Sequence, residues 1–193
     1  MALPQTNESA LMPLQIDKPI ALVGLMGVGK TTVGRRLAKR LGREFDDSDD
    51  AIEKASGRTV AGYFRDHGEA DFRDGELRVI TRLLDVAPPL VLATGGGAFI
   101  HPPTRKILQD KAVVVWLKGD LDTLVERVSR NDNRPLLQGV DKRAKMRELM
   151  EARHPIYAKA HVKIKIARGP HLRTVHRVMR ALKSYQEVSN AAD

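Results

Sequence analysis

The chain has 193 residues, no cysteine, 42% apolar residues and a formal net charge of +9. That length is most simply one domain with a substantial core; no apolar run approaches membrane-spanning length, and the lack of cysteine excludes disulfides, thiolate metal sites and cysteine nucleophiles. Residues 1–133 hold 19 Lys+Arg and 19 Asp+Glu and residues 134–193 hold 14 against 5, yet the basic residues are scattered and only 4% of the chain is aromatic, which leaves no stacking platform for nucleic acid.

Residues 1–17 lack a charged start followed by an apolar stretch, so they do not read as a signal peptide. A loose extension is expected there, and the cytoplasm as the compartment. Residues 19–25 (Pro-Ile-Ala-Leu-Val-Gly-Leu) read as a buried strand. It runs into Gly24-Leu25-Met26-Gly27-Val28-Gly29-Lys30-Thr31, which fits the phosphate-binding loop G-x-x-x-x-G-K-[ST] without deviation. Gly24, Gly27 and Gly29 let successive N–H groups turn inward around an anion. Lys30 supplies a cation for the β- and γ-phosphates and Thr31 a hydroxyl for Mg²⁺. Val33, Leu37 and Leu41 stripe one face of the helix over residues 30–41, and Gly42 closes it. Strand, loop and helix thus occur in the order that phosphate binding requires.

Residues 43–50 (Arg-Glu-Phe-Asp-Asp-Ser-Asp-Asp) lie where a second strand should end. Ser48 or Asp49 is a candidate cap for the helix through Ile52, and Asp46 and Asp50 read equally well as solvated. Asp47 and Asp49 point to function, because α/β sheets bind ligands at the carboxyl ends of their strands. One carboxylate there can hold waters around Mg²⁺ and another can accept a proton from a hydroxyl. A helix over residues 68–84 is striped by Phe72, Val79, Ile80, Leu83 and Leu84 and carries Arg73 beside Phe72.

Residues 90–94 form an apolar run, a strand buried on both faces, ending in Gly95-Gly96-Gly97. Three adjacent glycines are entropically costly, so either a ligand's close approach or a tight turn demands them. Residues 111–117 read as a fourth strand, followed by a helix striped by Leu121, Leu124, Val125 and Val128 that carries Arg127. Residues 131–139 (Asn-Asp-Asn-Arg-Pro-Leu-Leu-Gln-Gly) are polar and turn-rich, suited to a flap that expels water and brings Arg134 to developing charge. One helix later come Arg153, Pro155 and Tyr157, and residues 161–166 alternate as a fifth strand. Leu172, Val175, Val178 and Leu182 stripe the last helix, and residues 184–193 read as a frayed tail. Strands alternating with helices mean a parallel sheet covered on both faces.

Taken in order, Gly24 to Thr31, Phe45-x-Asp47-x-Asp49, Phe72-Arg73, Gly95-Gly96-Gly97, Asn133-Arg134-Pro135-Leu136-Leu137 and Arg153-x-Pro155-x-Tyr157 resemble the shikimate kinase family of P-loop proteins, from about Ile20 to Met179. The resemblance implies an α/β fold, a three-layer α/β/α sandwich on five parallel strands in order 2-3-1-4-5 with a mobile lid at about residues 131–141. It implies one domain over residues 18–183, an N-terminal extension, a flexible tail and a monomer. The implied reaction is transfer of the γ-phosphate of ATP, with Mg²⁺, to the 3-hydroxyl of shikimate, without nucleic acid or membrane partners.

Carried onto matching positions, Gly27, Val28, Gly29, Lys30, Thr31 and Thr32 hold the ATP phosphates. Thr31 and, through water, Asp47 serve the metal. Asp49 binds shikimate hydroxyls and is the base. Arg73 and Arg153 grip the carboxylate, as planar arginine forks do, Gly95, Gly96 and Gly97 present backbone N–H groups, and Arg134 is the flap arginine. Arg127 packs on adenine, Arg168 belongs to the adenine loop, and Phe64, Phe72 and Glu76 line or brace the pocket. Thr31 stands where serine is frequent, residues 167–170 match the adenine loop loosely, and both termini run past the usual ends. Two other readings use the same loop: a kinase for another small hydroxy acid such as gluconate, and a nucleotide-gated binding module with a basic C-terminal third.

Overall fold

The computed structural model describes residues 14–130, 137, 139–166, 169 and 171–191. Five strands, β1 (Ile20–Val23), β2 (Phe45–Asp47), β3 (Val91–Ala93), β4 (Val113–Lys118) and β5 (Val162–Lys165), alternate with helices and form one sheet in the order β2-β3-β1-β4-β5. All four pairings are parallel, with Ile20 opposite both Val91 and Val113, and Phe45 opposite Val91. The expected topology is therefore the observed one. Because every strand runs the same way, the loops after Val23, Asp47 and Ala93 open at a single edge of the sheet.

The sheet is the core. All four residues of β1 and the first five of β4 are buried, which requires helices on both faces. Helix α1 (Lys30–Leu41) buries Val33, Gly34, Leu37 and Ala38, and each buried leucine is worth about 1.5–3 kcal/mol. Gly34 lies mid-helix at a propensity cost of about 1 kcal/mol because a Cβ there would come 2.5 Å from Phe45 Cε2. The glycine seats the first residue of β2.

Two helices depart from the sequence expectation. Helix α3 (Val60–Leu84) begins well before residue 68, with Thr59 Oγ1 capping it by accepting the Gly62 N–H at 3.1 Å, and is broken by Gly68 at φ 80°. Only its second part carries the apolar stripe that sequence periodicity detects. Helix α4 (Pro102–Lys111) opens on two prolines, which suit a first turn, and ends at the residue expected to start the fourth strand. The cap of α2 (Ser48–Ser56) is neither Ser48 nor Asp49: Asp47 takes that place, its carboxylate accepting the Asp49 N–H at 3.2 Å.

Helix α5 (Leu121–Ser129) is capped by Asp120, and α6 (Lys142–Tyr157) by Asp141. Helix α7 (His171–Asn190) buries Thr174, Val175, Val178 and Leu182, leaves Leu172 47% exposed and continues past Ser184. Ahead of β1, Ile16 is buried and Leu14 packs against the core, while the Gln15 N–H donates to Gln186 Oε1 at 3.0 Å on α7. The expected lid falls largely on residues outside those described; Leu137 within it is buried in the core.

Candidate active site

At the sheet edge the phosphate loop joins β1 to α1. Gly24, Gly27 and Gly29 take φ of 139°, 82° and 89°, angles closed to most side-chain-bearing residues, and a Cβ on Gly24 would lie 2.6 Å from Leu117 O. Lys30 Nζ donates to the carbonyls of Gly24 at 2.8 Å and Leu25 at 3.2 Å, so the ammonium lies over the loop. Thr32 follows in the first turn of α1, partly exposed, and the helix turns its positive end toward the same concavity. On α5, Arg127 Nη1 donates to the carbonyls of Gly27 at 3.4 Å and Val28 at 3.3 Å.

The second strand brings its carboxylates to this loop. Thr31 Oγ1 donates to Asp47 Oδ2 at 2.7 Å. A hydroxyl and a carboxylate in contact are hard oxygen donors, and among the described residues no group of three or more acidic or histidine side chains could hold a metal ion unaided. That donor set fits Mg²⁺, which takes one or two protein ligands and completes its shell with water and phosphate oxygens. Asp49 stands two residues on. Burial, then the neighbouring Asp47 carboxylate, push its carboxyl up to about 6, against the opposing pull of Lys30.

The three glycines after β3 explain the other half. Each lies against one or two functional side chains. A Cβ on Gly95 would meet Asp49 Oδ1 at 2.6 Å and Glu76 Oε1 at 3.0 Å, and one on Gly97 would collide with the Arg73 guanidinium. Gly96 O accepts from Arg153 Nη1 at 3.2 Å and from the Tyr157 hydroxyl at 2.5 Å. The close approach that three costly glycines imply is therefore first an approach of side chains.

Arg73 is held from several sides. Its Nη1 donates to Glu76 Oε2 at 2.6 Å, and its guanidinium lies 5.6 Å and 5.3 Å from the ring centroids of Phe64 and Phe72. Glu76 is only 1% exposed, and desolvation raises its pKa against the pull of Arg73. Arg153 sits on α6 above Tyr157, whose ring stacks between Phe99 and Trp116. A cavity of about 340 Å³ lies among Arg73, Arg153, Gly97, Glu69, Asp74 and His101.

The fold thus gathers Gly27, Val28, Gly29, Lys30, Thr31, Thr32, Asp47, Asp49, Arg73, Gly95, Gly96, Gly97, Arg127 and Arg153 at one edge. Arg134 and Arg168 lie outside the described residues. The Gly95 N–H donates to the buried Ser48 Oγ at 2.9 Å, so that amide, expected to face a substrate, already has a partner. From the sequence Ser48 reads only as a possible cap; nothing in its neighbourhood marks it as the bracket of the triple glycine. His171, against Gly29, has no motif to announce it either.

A phosphate loop, an adjacent hydroxyl–carboxylate pair, a buried carboxylate of raised pKa and two arginines around a small cavity define a phosphotransferase that passes a nucleotide's terminal phosphate to a small acidic alcohol. The profile of the family "Shikimate kinase" matches residues 26–183. A shikimate kinase of Caulobacter vibrioides is 53% identical over 173 residues, 90% of this chain and 86% of the relative. The crystallised shikimate kinase from Acinetobacter baumannii, in complex with shikimate, is 41% identical with a TM-score of 0.82, covering 86% of this chain and 93% of that one. A gluconokinase from Sinorhizobium meliloti is 18% identical with a TM-score of 0.65 over 93% and 99% of the two chains, a likeness of fold alone. The chain belongs to the shikimate kinase family, ATP-using kinases with an alcohol group as acceptor.

Proposed function

We propose that the chain transfers the γ-phosphate of ATP to the 3-hydroxyl of shikimate, giving shikimate 3-phosphate and ADP on the route to chorismate and aromatic amino acids. The observation that carries this reading is Asp49. Its carboxylate stands between the phosphate loop and the triple glycine, with two arginines beyond it, so a hydroxyl acid gripped by its carboxylate presents a hydroxyl to Asp49 and to a phosphate on Lys30.

Gly27, Val28, Gly29, Lys30, Thr31 and Thr32 hold the phosphates in this reading, and Thr31 with Asp47 would hold Mg²⁺, which supplies charge neutralisation on the phosphoryl oxygens when bound. Arg73 and Arg153 take the substrate carboxylate through bidentate contacts, and the remaining amides of Gly96 and Gly97 line its seat. Asp49 fixes the attacking hydroxyl in line and takes its proton. A strong base is unnecessary, because phosphoryl transfer is mostly positioning and electrostatics. Arg134 reaches the transferring phosphoryl group as the lid over residues 131–141 closes, and Arg127 and Arg168 serve the adenine.

A monomer in the cytoplasm is part of the proposal. The absence of cysteine suits a reducing compartment, and among the described residues no helix is long and apolar enough to cross a membrane. Sedimentation of the purified protein tests the monomer. The activity is tested by ADP release with Mg²⁺-ATP and a panel of hydroxy acids: shikimate is expected to stimulate release strongly and gluconate hardly at all. Preference for gluconate, or slow ATP hydrolysis that no alcohol stimulates, overturns the proposal in favour of one of the two rival readings.

A further inference from the structure

The acceptor groups Asp49, Arg73 and Gly95 to Gly97 follow β2 and β3, which lie to one side of the phosphate loop in the sheet order. In-line displacement puts the leaving diphosphate opposite the attacking hydroxyl. The nucleoside of the donor must therefore extend over the other side, where α5 follows β4 and α7 follows β5.

Two side chains meet there on the loop's last glycine. A Cβ on Gly29 would lie 2.8 Å from His171 Cε1, 3.1 Å from His171 Nδ1 and 3.7 Å from Arg127 Nη1. Arg127 is already anchored through Nη1 on the Gly27 and Val28 carbonyls, which holds its guanidinium beside the loop. His171 is half-buried. Burial first, then Arg127 and Arg36, hold its pKa below the usual histidine range, so the ring is neutral at pH 7. A neutral imidazole beside two guanidinium groups offers a flat face, one N–H and one lone pair, and adds no charge to repel Arg127. Were the position only a plug against Gly29, an aliphatic side chain would fill it without desolvating ring nitrogens.

Resting on the reading that the loop holds ATP, we propose that His171 is a nucleoside-binding residue of the donor site, its imidazole contacting the ribose or base beside Arg127 at Gly29. The ring therefore contributes to ATP affinity through the nucleoside and not through the phosphates.

Calorimetry of the full chain with ADP and with inorganic tripolyphosphate separates the two contributions. His171→Leu keeps an apolar plug on Gly29, and His171→Asn keeps hydrogen-bonding capacity. In His171→Leu the Kd for ADP is expected to rise about tenfold, the loss of one hydrogen bond with its contact area, while the Kd for tripolyphosphate stays at the wild-type value. His171→Asn should recover part of the ADP affinity, and the KM for ATP should follow ADP while the KM for shikimate does not move. An unchanged ADP affinity in His171→Leu overturns the proposal, as does an equal loss for ADP and tripolyphosphate, which would make the ring a prop for the loop. If wild-type protein binds neither ligand, the donor reading itself falls and this assignment falls with it; if wild type binds both, only His171 is on trial.

Discussion

On the donor side, the groups proposed to hold phosphate come from nine consecutive residues, Gly24 to Thr32, and most are backbone amides set by three glycines of positive φ. On the acceptor side they come from α2, α3, α6 and the turn after β3, and they are side chains packed against the glycines themselves. Backbone amides cost little to hold in place once the loop is formed. Packed charged side chains are desolvated, and this site shows it: Asp49 is raised to about 6, and Glu76 Oε1 is buried with no hydrogen-bond partner among the described residues. The acceptor half therefore stores instability that the donor half does not, and variants there should trade activity for stability.

The largest expected effect is at Asp49. Asp49→Asn keeps the shape but loses the base, and removal of a general base costs about 10²–10⁴-fold in rate. The same change removes a carboxylate that is ionised at pH 7 at a folding cost of about 3 kcal/mol, the difference between about 6 and 3.8 in pKa. The variant should thus be nearly inactive, bind ADP as wild type does, and melt no lower than wild type. Wild-type turnover in Asp49→Asn would remove the carboxylate from the chemistry.

Next come the two arginines, which differ in what they leave behind. Arg73→Ala strands Glu76, and breaking a buried pair from one side costs about 3–5 kcal/mol. Arg153→Ala loses one charged hydrogen bond to a backbone carbonyl, worth about 1.5–3 kcal/mol. Both should raise the KM for shikimate by about tenfold or more, but only the first should lower stability severely in urea. Adding Glu76→Gln to Arg73→Ala should restore most of that stability and none of the affinity; recovery of both would mean that Arg73 never touches the substrate.

A pH series gives a smaller, graded effect. Only the ionised Asp49 accepts a proton, so kcat/KM for shikimate should fall about tenfold per unit below pH 6 and level off above it. Stability runs the other way. The folded chain keeps this proton to about pH 6 while the unfolded chain releases it near 3.8, so the contribution of Asp49 to stability is lost as pH rises between those values. The Asp49→Asn variant should lack both trends, and a pH–rate profile identical to wild type apart from scale would assign the titration to another group.

This contrast also governs what is legible in the sequence. Gly24 to Thr31 is contiguous, so its spacing exposes phosphate binding, and the alternation of strands and helices exposes a parallel sheet, whereas the strand order is implied only by the resemblance to a family. The acceptor half is legible only as scattered residues, Asp49, Arg73, the glycines and Arg153, joined by resemblance to a family. What periodicity misses are pieces whose partners are distant in the chain: the first part of α3, whose short run before Gly68 carries no stripe; α4, where two prolines disguise a helix start; and His171, which meets Gly29 only because α7 packs on α1.

Ser48 tests how far the acceptor half depends on such unannounced brackets. Its hydroxyl, fully buried, accepts the Gly95 N–H at 2.9 Å, and Gly95 in turn sits against both Asp49 and Glu76. Ser48→Ala leaves that amide without a partner, a cost of about 1–3 kcal/mol, or about 2–4 °C in Tm for each kcal/mol at this chain length. Freed from its anchor, the turn after β3 no longer sets the separation of the two carboxylates, so the KM for shikimate should rise a few-fold and the Kd for ADP should not move. A variant that loses ADP affinity as much as acceptor affinity would show the two halves to be one mechanical unit, coupled through Gly96, where a Cβ would lie 3.7 Å from Met26 N and 3.8 Å from Gly24 O on the phosphate loop.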